Sequence, residues 1–169
     1  MILNYWGLVR AKRIDTEEWI EGTYYRRVGS SSYRSEKAIL TQEVITHLVI
    51  TKNFSRNDST SPESFLEVIP ETICPYIGRN DRNDNKIFVH DVIKPNTYGG
   101  EYFEVLPYEK KNTLSWNLGH IFNTWEGREV VIIGNTIDDP TIMERCPDLE
   151  ERLRRFYKAV ALKEKEDGK

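Results

Sequence analysis

Leu8-Val-Arg-Ala-Lys-Arg-Ile14, then Asp15-Thr-Glu17, then Glu18-Trp-Ile-Glu-Gly-Thr-Tyr-Tyr-Arg-Arg27 is the stretch on which the fold turns. Apolar, aromatic and β-branched residues flank a short polar turn, which predicts a β-hairpin. Trp19, at its centre, is expected to plug a core. Further on, Gly29-Ser-Ser-Ser32 reads as a loop. Ile39–Thr51 is long enough for a helix, but Val44, Ile45, Thr46, Val49, Ile50 and Thr51 favour a strand.

Asn53–Ser64 holds one apolar residue in twelve and reads as a flexible loop. Short strands are expected at Phe65–Ile69, Thr72–Ile77, Lys86–Lys94, Glu101–Leu106, Thr113–Phe122 and Arg128–Ile137. Turn signals every 8–12 residues and no strand–helix–strand alternation predict an antiparallel barrel or sandwich, not a parallel sheet. The period then changes. Leu149, Leu153, Phe156, Tyr157 and Val160 recur at three and four residues, predicting a helix over about 149–164 with a frayed tail at Glu164–Lys169. Asp148 and Glu151 have capping-box spacing, and Glu150–Arg154 and Glu151–Arg155 have the spacing of helix ion pairs.

The 169 residues are 38% apolar and 30% charged, polar for a globular chain. With four Trp, nine Tyr and six Phe they still have enough to bury a core. The net charge of −3 is unevenly spread: residues 1–37 carry seven Lys or Arg against five Asp or Glu, residues 38–147 ten against sixteen. A protein dedicated to coating DNA is normally far more basic. No run of 18 apolar residues exists to span a membrane, and Met1–Trp6 lacks the pattern of an export signal. The expectation is therefore a cytoplasmic protein whose Cys74 and Cys146 are free, buried thiols, and whose sequons at Asn53 and Asn57 carry no glycan.

Three stretches, Arg10–Gly22, Val68–Ile93 and Val130–Met143, together cover about a third of the chain. They contain Arg10, Lys12, Arg13, Ile14, Asp15, Trp19 and Gly22; then Pro70-Glu-Thr72, Tyr76, Gly78, Asp81, Asn83, Lys86-Ile-Phe88 and Asp91; then Ile133-Gly-Asn135 and Pro140. In this order they resemble the YopX family of phage and prophage proteins. The resemblance implies an SH3-like β-barrel, a viral or prophage origin and no established activity, and it transfers no catalytic residues. The chain departs from the family's pattern at three places. Ile77-Gly78-Arg79 stands for Thr-Gly-Leu, Asn83-Asp84-Asn85 for a turn with Asn-Gly, and Val89-His90-Asp91 for Glu-Gly-Asp. Without those two glycines, Asn or Asp is expected to take the φ > 0 positions.

Few residues suggest chemistry. Asp81–Lys86 begins like a calcium loop, but Lys86 stands where Gly is needed and Val92 where the bidentate Glu would be, so it reads as a polar hairpin turn. Cys74, Cys146, His47, His90 and His120 lack zinc-ligand spacing. No nucleophile-elbow, phosphate-loop or metalloprotease motif is present. Asp139 reads as the cap of a short turn with Pro140 at its first position. His90 and Asp91, as strand neighbours, should point apart. No cofactor or metal is expected.

Arg10, Lys12, Arg26 and Arg27 around Tyr24 and Tyr25 are candidate nucleic-acid contacts, cations beside stacking rings. Trp19, Gly22, Gly78, Asp81, Asn83, Asp91, Gly134, Asn135 and Pro140 are the structural motif positions. The reading as a whole is a mainly β protein: an SH3-like antiparallel barrel over 1–147 with an N-terminal hairpin layer, then a C-terminal helix over 148–169. It is expected to be a non-enzymatic accessory protein that binds a phage or host protein. Nucleic-acid binding through the basic hairpin is the alternative, and self-association through the C-terminal helix is a further possibility.

Overall fold

A computed structural model describes residues 7–34, 39–51, 65–95, 102–110, 113–116 and 130–167. The fold is mainly β, and the chain divides into two compact units, 1–75 and 76–169. The sequence reading instead grouped 1–147 and separated the helix. The expected loop at 53–64 lies outside the described residues.

The first unit is an antiparallel meander of β1 (Leu8–Lys12), β2 (Trp19–Arg34), β3 (Ile39–Ile50) and β4 (Phe65–Glu67), with the start of β5 (Cys74–Asn80) on the far side of β1. The expected β1–β2 hairpin forms, with Lys12 opposite Trp19 and Leu8 opposite Thr23. Its turn is held by Arg13, whose guanidinium donates to both oxygens of Asp15 at 2.8 and 2.6 Å. Alternation puts Val9 and Ala11 into a core with Val49 and Val68, flanked by Ile20, Tyr24 and Ile73.

Trp19 is not that core's plug. It is only half-buried and sits on the opposite face, because an odd position on β2 points away from Ile20 and Gly22. Gly29–Ser32 is not a loop either: it pairs with Val44–Thr41 inside β2. A long, β-branched partner strand overrides the weak turn preference of Gly and Ser.

Gly22 has a steric reason. A β-carbon there would fall on the Ile50 carbonyl and press on Val49 Cγ1. Beyond β4, Val68 bridges to Arg13, and the Ile14 amide donates to the Glu67 carbonyl at 3.1 Å. The edges of the meander thus touch over Lys12–Ile14 and Glu67–Ile69, but no closed barrel forms among the described residues. A 3-10 turn, Pro70–Thr72, takes the place of the first residues of the strand expected at Thr72–Ile77. The Thr72 hydroxyl donates to the Ile69 carbonyl and accepts the Lys12 amide, both at about hydrogen-bond contact (2.8 and 2.9 Å).

In the second unit β5 pairs irregularly with β6 (Lys86–Phe88). β7 (Asp91–Pro95) lies between β11 (Val130–Asn135) and β8 (Phe103–Glu104), and β9 (Pro107–Lys110) pairs with β10 (Thr113–Trp116). Several strands are shorter than expected; the ends at 101 and 117–129 lie outside the described residues. Two helices follow, α1 (Ile142–Arg145) and α2 (Pro147–Asp167). The Asp139 carboxylate accepts the Thr141 amide at 3.0 Å, which is the expected cap just after Pro140. Gly134 passes against α1, where a β-carbon would meet Ile142 Cδ1 at 2.5 Å.

Helix α2 starts earlier and runs further than expected. Asp148 lies inside its first turn and so does not cap it, and residues 164–167 are helical instead of frayed. Both ion pairs form, Arg154 with Glu150 at 3.2 Å and Arg155 with Glu151. The first two turns cover this unit's core: Leu149 packs with Val92, Ile142 and Cys146, and Leu153 lies against them. Further out Tyr157 and Leu162 are exposed. Both cysteines are buried and free.

Leu149→Ala should therefore cost about 2–5 kcal/mol, the price of a core truncation. Leu162→Ala, on the exposed turn, should stay within about 0.5 kcal/mol. Urea unfolding of the two variants beside the parent reads both values; equal losses would contradict the packing.

Candidate functional site

The ladder between β2 and β3 runs without a register shift from Thr23–Ile50 to Arg34–Ile39. β1 flanks β2 only as far as Thr23, and β4 flanks β3 only at Leu48–Ile50. Beyond these limits the two strands form a two-stranded arm with no third strand among the described residues. Such a ribbon is marginal on its own.

The arm divides the candidate nucleic-acid residues between two faces. Arg10, Lys12, Tyr25 and Arg27 lie on one face with Trp19; Tyr24 and Arg26 lie on the other. Arg10 sits 4.7 Å and Lys12 5.4 Å from the Trp19 ring centroid, so both cations lean over the ring that a base would need. Arg27 is six residues along β2 from Glu21, the partner of Arg10, which is roughly 20 Å at about 3.3 Å per residue. Tyr24 packs on the core and shares a 2.8 Å hydrogen bond between its hydroxyl and His47 Nδ1. Burial raises its phenol pKa, with Arg26 pulling the other way. The set is therefore not one stacking platform.

Beside the exposed Arg27 and Ser30, the arm also exposes apolar residues. Val28 is 53% and its cross-strand partner Ile45 45% exposed, and Val44, on the other face, is 43% exposed. These residues were missed because β-branched residues in a strand normally signal burial. The available clue was Gly29-Ser-Ser-Ser32, a run too polar to be the partner of a buried strand.

The second unit holds a buried polar cluster. Asp91 accepts the Phe88 amide at 2.8 Å and the Asn135 side-chain amide at 3.0 Å, tying β7 to β11. His90 turns to Glu104, Nδ1 to Oε1 at 2.9 Å, so it and Asp91 do point to different partners. The Thr136 hydroxyl donates to the same Glu104 oxygen at 2.8 Å. The trio works as a clamp between the β6–β7 turn, β8 and the end of β11.

Asp81 plays a similar part in its turn. One oxygen accepts the Asn83 and Asn85 amides at 2.8 and 2.9 Å; the other accepts the Asn85 side chain at 3.3 Å and the Ile132 amide at 3.2 Å. A carboxylate filled by these donors closes a turn. Among the described residues no group of three or more His, Cys, Asp or Glu is placed to hold a metal ion. No described helix is long and apolar enough to cross a membrane.

Two of the turns place non-glycine residues at positive φ. Asp84 at φ 64° and His90 at φ 69° take the left-handed conformation, as Gly78 does at φ 82°. Asn or Asp is expected in that role; Asp84 fits, and His90 departs from it.

Comparison of the chain with family models, curated proteins and solved structures finds no match.

Burial raises the Asp81 pKa, but the donors from Asn85, Ile132 and Asn83 outweigh it and hold the carboxyl below its usual 3.8. A depressed folded-state pKa contributes stability above the unfolded value that is lost as pH falls through the folded one. Asp81→Asn should thus be less stable than the parent at neutral pH, and the gap should narrow below about pH 4. Thermal midpoints of both proteins between neutral and acid pH test this; a gap independent of pH would contradict it.

Proposed function

We propose that this chain is a non-enzymatic binding protein of the YopX kind, encoded by phage or prophage and acting in the bacterial cytoplasm, whose β2–β3 arm holds a protein partner. The observation that carries this reading is the exposed Val28–Ile45 pair on an arm flanked by no further strand among the described residues. Exposed apolar side chains grouped together on an ordered element mark an interaction surface.

The motif positions of the YopX resemblance support a non-enzymatic reading, because their side chains are engaged in folding. Arg13 grips Asp15, Gly22 admits the Ile50 carbonyl, Asp81 closes a turn, and Asp91 binds Asn135. The SH3-like barrel of that family is the fold we assign on the same footing, and the Arg13–Val68 bridge is consistent with such a closure. Nucleic-acid binding is disfavoured by the division of Tyr24 and Tyr25 between opposite faces and by the acidic middle of the chain.

The test is capture of partners by the immobilised protein from infected cells, after nuclease treatment. One protein should be retained, and Val28→Glu should lower its recovery at least about tenfold, a loss of about 1.4 kcal/mol, while circular dichroism is unchanged. Capture that vanishes with nuclease, together with a steep salt dependence on purified oligonucleotides, would replace this reading with the nucleic-acid one.

A further inference from the structure

The face of the arm serves the partner reading above; its edge points to something else. His47 turns its carbonyl away from β2 and accepts the Val68 amide at 3.0 Å. In an antiparallel ladder successive residues alternate in the direction of their backbone groups. The pairing of β2 with β3 has no bulge, so Ile45, Glu43, Thr41 and Ile39 turn their N–H and C=O groups the same way as His47. No strand meets these groups among the described residues. From Ile39 to Ile50 the strand has no Gly, Pro, Lys or Arg, the residues with which edges are usually blunted.

The residues along this edge form a palindrome of hydropathy. Ile39-Leu-Thr-Gln-Glu-Val-Ile45 reads apolar, apolar, polar, polar, polar, apolar, apolar from either end, centred on Gln42. A two-fold axis through Gln42 places Ile39 opposite Ile45 of a second copy, Leu40 opposite Val44, and Thr41 opposite Glu43. All the outward-turned backbone groups then meet groups turned toward them. In this register Glu43, the single charged residue of β3, does not face its own copy, which would cost stability as a like-charge pair. Sliding the axis by one residue to Glu43 would create that clash.

We infer that β3 pairs antiparallel with β3 of a second copy about Gln42, making a four-stranded ribbon from two arms. The pairing is isologous, so it closes as a dimer and does not propagate. This inference stands apart from the partner reading, since it uses backbone groups at the edge and needs no other protein.

Sedimentation equilibrium of the purified full chain over a range of concentrations tests it. The parent should fit a monomer–dimer equilibrium. Ile39→Lys combined with Ile45→Lys puts like charges across both symmetry-related pairs and should raise the dissociation constant at least about tenfold. Ile39→Lys combined with Ile45→Glu puts opposite charges across the same pairs and should restore dimerisation, which shows that the first variant failed through register and not through misfolding. Val28→Glu should leave the dimer intact even where it abolishes partner capture, so the two readings fail separately. A parent that is monomeric throughout, a dimer indifferent to the like-charge variant, or a charge-swapped variant as weak as the like-charge one would each overturn the proposal.

Discussion

A β-carbon does not fit at position 22. There β2 passes against the Ile50 carbonyl, and that close approach governs the first unit. Because Gly22 lets the strands close, Val9, Ala11, Val49 and Val68 come together beneath them. The same crossing marks where β1 stops flanking β2, since Thr23 is the last residue that pairs with Leu8. The core lies on one side of this point, and on the other the arm has no third strand among the described residues. Gly22, a motif position in the sequence, is a packing requirement.

The second unit relies on buried carboxylates in a comparable way. Asp81 and Asp91 each accept backbone amides from a nearby turn and also reach β11, the first through Ile132 and the second through Asn135. Burying a charge is tolerable only when it is met by donors, and here each donor belongs to a segment that has to be held in place. The turns beside them use Asp84 and His90 at positive φ, at about 1–2 kcal/mol each relative to glycine. His90 gains the contact with Glu104 from that conformation, which glycine could not make.

These constraints put the chemistry-bearing side chains to structural use and leave the arm as the feature without an internal purpose. Thr136 and His90 both converge on Glu104, and Arg10 and Lys12 both lean over Trp19. Groups that a sequence scan would nominate for proton transfer or phosphate binding are engaged by neighbours. The apolar pair Val28–Ile45 is not, and the fold does nothing to bury it. Binding is the use we propose for such a surface.

Residue by residue, the sequence by itself determined the β1–β2 hairpin, strand β3, the Asp139 cap and the existence and ion pairs of the C-terminal helix. Each depends on neighbours a few positions away, whose period or turn chemistry is written locally. It also pointed to Asp81 as a turn residue. Only the tertiary structure decided that Gly29–Ser32 is strand, because the long partner strand β3 supplies the backbone bonds that those residues do not request. The same holds for the face of Trp19, the engagement of Glu104 with His90 and the exposure of Val28, Val44 and Ile45. All of these depend on which segments distant in sequence lie alongside, and where that flanking stops. A strand's own residues encode its tendency to pair, but the extent of its neighbours, set elsewhere in the chain, decides whether its faces and edge are covered.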